Sequence, residues 1–492
     1  MVLGIFLRFY MLGSLPYGLN QDEASAGYDA WALLTSGTDR NGDSFPVLFT
    51  SWGSGQNVLM SYLAIPFIAL FGLSEVTVRI PNALFGCITL LVFWLLARKI
   101  RGARFGLTAL ILLAVNPWHI MMSRWALESN LLPAFLLLGV YFTFLAKDRQ
   151  WLLLPAAVSY ALGIYAYGTA FFVLPILLIG SIIWLRREIR WKPFTVSMLV
   201  FIIIALPIAV CQLSNVLGWG EIKLFSFTLP ELTQTRQAAT SVFGAGIGSV
   251  RENYETFFRI LKTESDGLIF NSLGIMSGGM FYFFGLPLMI IGIIASLGRR
   301  KDFSEEIPLL IWAIGGAVCT GFIAGNINRL NFMWLPLIYF ETVGAHWVLC
   351  KLNWLRPAAW VLLAACVCVF VSSYVITFGG EGNANYFPGL SEAVEYCEEE
   401  NAESIYVTNY VNQPYIFALF ASETTPEDFV ESVVYINENA AFRGVSSFGK
   451  YTFGPAEMAR GDYAIVNVYE LTTQPEAVFG KYAVIRPEVN YD

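Results

Sequence analysis

Apolar runs of about 20 residues, almost free of charge, recur along this chain and decide what it can fold into. Such a run crosses the hydrocarbon core of a bilayer as a helix, and a helix is the form that satisfies its own backbone there. The runs are 80–97, 105–118, 125–146, 151–168, 170–185, 194–211, 268–297, 307–325, 330–349 and 358–377. A shorter one, 58–73, is broken by Pro66. The 492 residues are 56% hydrophobic and 14% charged, against about 25% charged in soluble proteins. The chain reads as a polytopic α-helical membrane protein.

Charge divides it further. Residues 378–492 carry 18 acids and 5 bases, net −13, so the first 377 carry 19 acids and 25 bases, net +6. Two domains follow: a membrane module over 1–377 and an acidic tail over 378–492. The balance does not point to nucleic acid. Seven cysteines show neither a disulfide framework nor a zinc spacing, and read as small apolar residues.

Basic residues set the sidedness. Let 58–73 lie at the interface without crossing, and let Met1–Leu12, too short to span, be the end of a first span whose start is missing. Bases then cluster in short loops on one side: Arg98, Lys99, Arg101, Arg104; Lys147, Arg149; Arg186, Arg187, Arg190, Lys192; Arg299, Arg300, Lys301; Lys351, Arg356. Those are 15 of the 30 bases. The positive-inside rule makes that side cytoplasmic. Eleven spans result, and three long segments share the outer face: loop 13–79, loop 212–267 and the tail. The spans hold almost no charge, Glu341 alone lying deep. A proton-coupled transporter places ionisable groups near mid-membrane, so polar chemistry here belongs to the outer face.

In the first outer loop, Leu19-Asn20-Gln21-Asp22-Glu23 opens a helix predicted to run to about Ser36, with Gly37 as its stop. Asn20 caps it, and Glu23 three residues on completes a capping box. Asp22 and Glu23 lie in the first turn, where the helix dipole favours carboxylates. Asp29, seven residues after Asp22, shares its face, and Asp43 follows in the loop. The stretch is a solvated acidic cap or a general base toward a hydroxyl or amine.

Three further constellations sit at outer junctions. In Asn116–Glu128, Arg124 and Glu128 are spaced to pair along a helix. Arg124 suits a phosphate or snorkels beside Trp118 and Trp125; His119 nearby reads as structural. Asn326-Ile327-Asn328-Arg329-Leu330-Asn331 can hold a phosphate or sugar hydroxyls, or simply start a helix. Tyr160, Tyr165 and Tyr167 line a groove or belong to an interfacial belt. Loop 212–267, with Arg236, Arg251, Arg259 and Lys262, can meet acceptor or lipid head groups. The tail reads as a small α/β domain: helices at Pro388–Glu400, Gln413–Ala421 and Pro426–Glu431, strands at Ser404–Asn409, Tyr463–Tyr469 and Tyr482–Ile485.

Three motifs, LPYGLNQDEASAGYDAW (15–31), FGLSEVTVRIPNALFG (71–86) and NPWHIMMSRWALESN (116–130), carry a resemblance to GT-C fold membrane glycosyltransferases. The chain is most similar to glycosyltransferase family 39, which holds protein O-mannosyltransferases and the aminoarabinose lipid A transferase. The layout matches over roughly residues 1–350, and the tail looks like an extra domain. The resemblance implies an inverting transfer of a sugar from a polyprenyl-phosphate donor, at the outer face of the cytoplasmic membrane, to a protein, cell-wall polymer or lipid. It implies Asp22 as the base with Glu23 beside it, and outer-face bases (Arg124, Arg329, Arg79) on the donor phosphate. His119, Glu128, Tyr165 and Tyr167 are groove candidates. It implies no cofactor and no divalent metal. Family members often carry a Lys-Pro before the interfacial helix. Here Trp52-Gly53-Ser54-Gly55-Gln56-Asn57 stands in its place, leaving the amides of Gln56 and Asn57. A lipid or sugar flippase without chemistry, and a scaffold whose tail binds a partner, are the competing readings.

Overall fold

The computed structural model describes residues 1–52, 54–232, 246–263, 280–298, 300–380, 385–438, 440, 443–454, 463–471 and 473–486. The sequence readings that rest on Gly53, Arg236, Arg299 and residues 268–279 lie outside them, as do the side chains of Arg300 and Lys301. Among the described residues, four helices are long and apolar enough to cross a membrane: Glu75–Arg101, Glu128–Leu145, Trp191–Leu217 and Asn353–Phe378. A fifth arises if Ala103–Ala114 and Pro117–Ser123, bent by 61°, count as one span. Apolar helices of 10–17 residues account for several of the other runs: Gln150–Ala166, Ala170–Leu185 and Gly285–Leu297. Helix Leu59–Phe71 has 13 residues with Pro66 inside. It reaches about 20 Å, short of the ~30 Å hydrocarbon core.

The chain packs as two compact units. One comprises Met1–Tyr10, Asn82–Ala209 and Arg236–Tyr374; the other comprises Met11–Pro81, Val210–Thr235 and Val375–Asp492. The acidic tail thus packs with the first loop and with a piece of the 212–267 loop. The division between Tyr374 and Val375 lies within three residues of the change in charge at 377/378; Met11–Pro81 and Val210–Thr235, which composition groups with the membrane module, pack with the tail.

In the first unit, Gly285–Leu297 and Trp334–Lys351 cross backbone to backbone. A Cβ on Gly292 would stand 1.8 Å from the Phe340 carbonyl oxygen, and one on Gly344 2.0 Å from that of Leu288. Close approach through small residues is how helices associate where water supplies no hydrophobic drive.

In the second unit, the tail forms a seven-stranded sheet. Its order is Ala477–Phe479, Tyr482–Ile485, Tyr463–Asn467, Ile405–Val407, Tyr451–Phe453, Val445–Phe448, Val434–Tyr435. Ile405–Val407 pairs in parallel with both neighbours, and the remaining pairs are antiparallel. Helices Leu390–Glu399, Pro414–Ser422 and Pro426–Ser432 fall where the sequence placed them. Four strands of two to four residues were not foreseen: Val434–Tyr435, Val445–Phe448, Tyr451–Phe453 and Ala477–Phe479. The first loop is stitched to the start of the tail by its backbone. Tyr17 N–H donates to the Phe378 carbonyl at 2.7 Å, and Phe387 N–H to that of Leu19 at 3.0 Å.

Gly344→Ala is expected to force the two helices of the first unit apart and to cost about 1–3 kcal/mol, the range for overpacking. Thermal melting of the purified protein in detergent measures it, and an unchanged midpoint would contradict this crossing.

Candidate functional site

The acidic helix runs Gln21–Thr35, with the capping box made in both directions. The Asn20 side chain accepts from Asp22 N–H at 3.0 Å, and Asn20 N–H donates to Glu23 at 3.2 Å. Ser36 is the C-cap, and Gly37 follows at φ +72°. Start and stop lie where the sequence put them.

The adjacent carboxylates diverge. Asp22 is half-buried. Glu23 is fully buried and lies in a two-pronged ion pair with Arg79, whose Nε and Nη2 donate to its two oxygens at 2.9 Å each. The same guanidinium donates to the carbonyls of Leu12 at 3.1 Å, Pro16 at 2.9 Å and Gly18 at 2.6 Å. The chain 12–18 therefore wraps around Arg79. This corrects two expectations. Arg79 is enclosed by carbonyls and a carboxylate and offers no donor to a phosphate. Glu23 supports the loop and is closed to substrate.

Below Asp22 on the same helix is a second buried pair that the sequence reading did not see. Asp29 meets Arg40 at 3.0 Å, with side chains 0% and 2% exposed. Arg40 also donates to the hydroxyls of Ser25 at 2.5 Å and Ser51 at 3.1 Å, and stands 5.1 Å from the Trp52 ring. The Ser25 hydroxyl donates to Gln56 Oε1 at 3.2 Å. Gln56 is thus one link in a network that ties residues 40–56 to the acidic helix. Burial pushes the Asp29 carboxyl up against the pull of Arg40. Burial, and then the charge of Asp29, push Asp39 well above its ordinary value. Asp43, less enclosed, is pushed up to about 6 by burial and then by Glu221. Arg40 was the missed signal: a single cation set among Asp39, Asn41 and Asp43. Asn57 is buried as well.

The other candidates lie in the first unit. Arg124 is the C-cap of Pro117–Ser123. Its Nη1 and Nη2 donate to the carbonyls of Leu7 at 3.0 Å and Tyr10 at 2.7 Å. It is buried and finishes the short helix Val2–Phe9, as cations do at helix C-termini. Glu128 opens the separate turn Glu128–Asn130, so the helical spacing read between Arg124 and Glu128 does not apply. His119 Nδ1 meets Arg8 Nη2. Arg8, which the sequence reading passed over, is fully buried and also donates to Gly4, Leu113 and Ala114. A lone cation in an apolar dozen was its signal.

Asn331 joins two of the outer-junction motifs. Its Oδ1 accepts from Trp118 Nε1 at 3.0 Å, and its Nδ2 donates to Asn130 at 2.8 Å. Arg329 remains half-buried, with Nη1 on the Ala324 carbonyl at 3.0 Å. Tyr165 donates to the Ile204 carbonyl at 2.8 Å, and Tyr167 is half-buried at the end of Leu153–Ala166. Among the described residues, no three of His, Cys, Asp or Glu converge as metal ligands would.

Residues 56–210 match the family profile described as dolichyl-phosphate-mannose-protein mannosyltransferase. The match includes the second and third motifs and begins beyond the first. ArnT from Cupriavidus metallidurans in the apo state is similar in structure over 98% of this chain and 96% of that one, with TM-score 0.57 and 13% identity. ArnT bound to undecaprenyl phosphate aligns over the same shares with TM-score 0.52 and 13% identity. The apo oligosaccharyltransferase of Archaeoglobus fulgidus aligns over 86% of this chain and 63% of that one, with TM-score 0.50 and 15% identity. At these identities the likeness is one of fold. No curated protein matches the chain in sequence. The resemblance to GT-C fold, family-39-like proteins is borne out.

Two outcomes test the geometry. Glu23→Ala leaves Arg79 buried without its anion and is expected to cost about 3–5 kcal/mol, read as a lower melting midpoint. For Asp43, a folded value of about 6 lies above the ordinary 3.8. The folded state therefore holds the extra proton, and its ionised form is the disfavoured one. Asp43→Asn should melt above wild type at pH 7.5, and the gap should close as pH falls from 6 toward 4.

Proposed function

We propose that this GT-C chain is an integral-membrane glycosyltransferase that moves a sugar from a polyprenyl-phosphate donor to an acceptor at the outer face of the cytoplasmic membrane. The family match and the fold support lipid-linked-sugar transfer as the class. The tail, on this reading, is extracytoplasmic.

The observation that carries the residue assignment is the split between Asp22 and Glu23. Glu23 is closed off by Arg79, while its neighbour keeps access to solvent. Two carboxylates side by side thus divide the work: one anchors the loop, the other faces outward in the first turn of a helix. Asp22 takes the proton of the acceptor hydroxyl or amine. The acceptor heteroatom bonds to the anomeric carbon from the side opposite the phosphate. The bond from that carbon to the phosphate oxygen breaks, and the lipid phosphate leaves with the electron pair. The anomeric configuration inverts.

The leaving phosphate needs positive charge. Of the three cations read for the donor phosphate, Arg124, Arg329 and Arg79, Arg329 fits this role best, since it is half-buried where the other two are buried. Arg124, turned onto the carbonyls of Leu7 and Tyr10, serves by position. No metal or cofactor enters this scheme.

A transfer assay in lipid with labelled polyprenyl-phosphate sugars tests it. Asp22→Asn keeps the shape and the N-terminal cap and removes the base, so turnover should fall by about 10²–10⁴-fold with the melting midpoint unchanged. Equal consumption of donor by both proteins would reduce Asp22 to a helix cap. Donor movement across the bilayer with no transfer would favour a flippase.

A further inference from the structure

After helix Trp191–Leu217 the chain turns into a small hairpin, Ile222–Leu224 paired with Phe227–Leu229. Its base is buried and bonded. Val47 N–H donates to the Thr228 carbonyl at 3.0 Å, and Thr228 N–H donates to that of Ser44 at 2.9 Å. Asn215 holds the following strand end, its Nδ2 on the Pro230 carbonyl at 2.9 Å and its Oδ1 accepting from Leu232 N–H at 2.7 Å. The tip is the opposite in character. Phe225 is 99% exposed, Phe227 51% and Leu224 49%; Trp219, just before the hairpin, is 57% exposed.

Phe225 is doubly unfavourable in water. It exposes a whole aromatic ring, which burial would stabilise by about 1.5–3 kcal/mol. It also holds φ at +55°, a region where bulky side chains are outliers and where hairpin turns take Gly, Asn or Asp. Neither the turn nor the folded unit gains from a phenylalanine there. Such a residue points to something outside the chain.

The position of the hairpin names the occupant. The preceding helix has 27 residues, is long and apolar enough to cross a membrane, and is little buried within the protein. At about 40 Å it outreaches the ~30 Å hydrocarbon core, and it is still apolar and exposed at Val216 and Leu217. Its end therefore lies at the lipid–water boundary. The tip at Phe225 lies eight residues past that end, a span of at most about 28 Å, so it can reach the interfacial layer, where aromatic side chains are favoured. The ion pair of Lys223 with Glu221 at 3.0 Å leaves the tip with no net charge to hold it off.

We propose that the tip of this hairpin, Leu224, Phe225 and Phe227 with Trp219 behind it, inserts into the bilayer interface and anchors the first loop to the lipid surface. Because Thr228 is bonded to Ser44 and Val47, the anchor acts directly on the loop that follows the acidic helix. This holds whether or not the chain transfers a sugar.

Spin-label accessibility tests it on the full-length protein in phosphatidylethanolamine–phosphatidylglycerol nanodiscs. Cys87, Cys350 and Cys368 are replaced by Ala, and a nitroxide is placed by Phe225→Cys or, as an aqueous control, by Tyr469→Cys. Tyr469 is 93% exposed in the tail. Since both sites are open, labelling does not disturb the core. The ratio of collisions with oxygen, which concentrates in lipid, to those with a water-soluble nickel chelate should be several-fold higher at 225 than at 469. A ratio at 225 equal to the control would overturn the proposal. So would low access to both reagents at 225, which would mean that protein covers the tip.

Discussion

Arg79 and Glu23 leave water together, and the first loop depends on how completely each is then satisfied. A buried charge costs several kcal/mol in lost hydration. Here the carboxylate takes two N–H groups from Arg79 and one from Asn20. The rest of the guanidinium is met by the carbonyls of Leu12, Pro16 and Gly18. The pair does more than offset its own desolvation. It supplies donors to irregular backbone that has no ladder of its own, and it holds the first turn of the acidic helix in place.

What the sequence shows of this region follows the range over which its signals act. The capping box and the stop at Gly37 are encoded within a few residues, and both are legible, whereas Pro66, read as a break, lies inside helix Leu59–Phe71. The partner of Glu23 is 56 positions away, and no spacing rule links them. Arg79 therefore read as a free cation beside a membrane surface, a place where phosphate binding is a reasonable expectation. The helical spacing of Arg124 and Glu128 is a related case. Their spacing assumed a continuous helix, and the helix ends at Ser123. In the tail, the three amphipathic helices were legible by period. Strands such as Tyr451–Phe453 are shorter than one full alternation, and only their pairing defines them.

The second unit is held by polar links as much as by apolar packing. Ser25, Arg40, Ser51 and Gln56 form a chain of donors and acceptors under the acidic helix. Gly27, on the next turn, leaves room for Val78 and for Phe420 of the tail, each of which a Cβ there would meet below 3 Å. The helix that carries Asp22 thus touches the first loop, the start of a membrane helix and the tail at once. Such contacts support the helix from several directions. The acidic tail, which composition sets apart, is one of the walls of that support.

Such stitching has a consequence for how the protein is made. Asn20 donates to the carbonyl of Asn385, and Tyr28 to that of Thr424, partners separated by 365 and 396 positions. At a synthesis rate of about 5–20 residues per second, the acidic helix leaves the ribosome some 20–70 s before the tail segments that clasp it exist. During that interval Arg79 can already hold Glu23, since both are made early. The tail-facing side of the helix has nothing to pack against. The first loop is therefore born as a half-finished surface, and a chain interrupted before residue 385 would present that surface permanently.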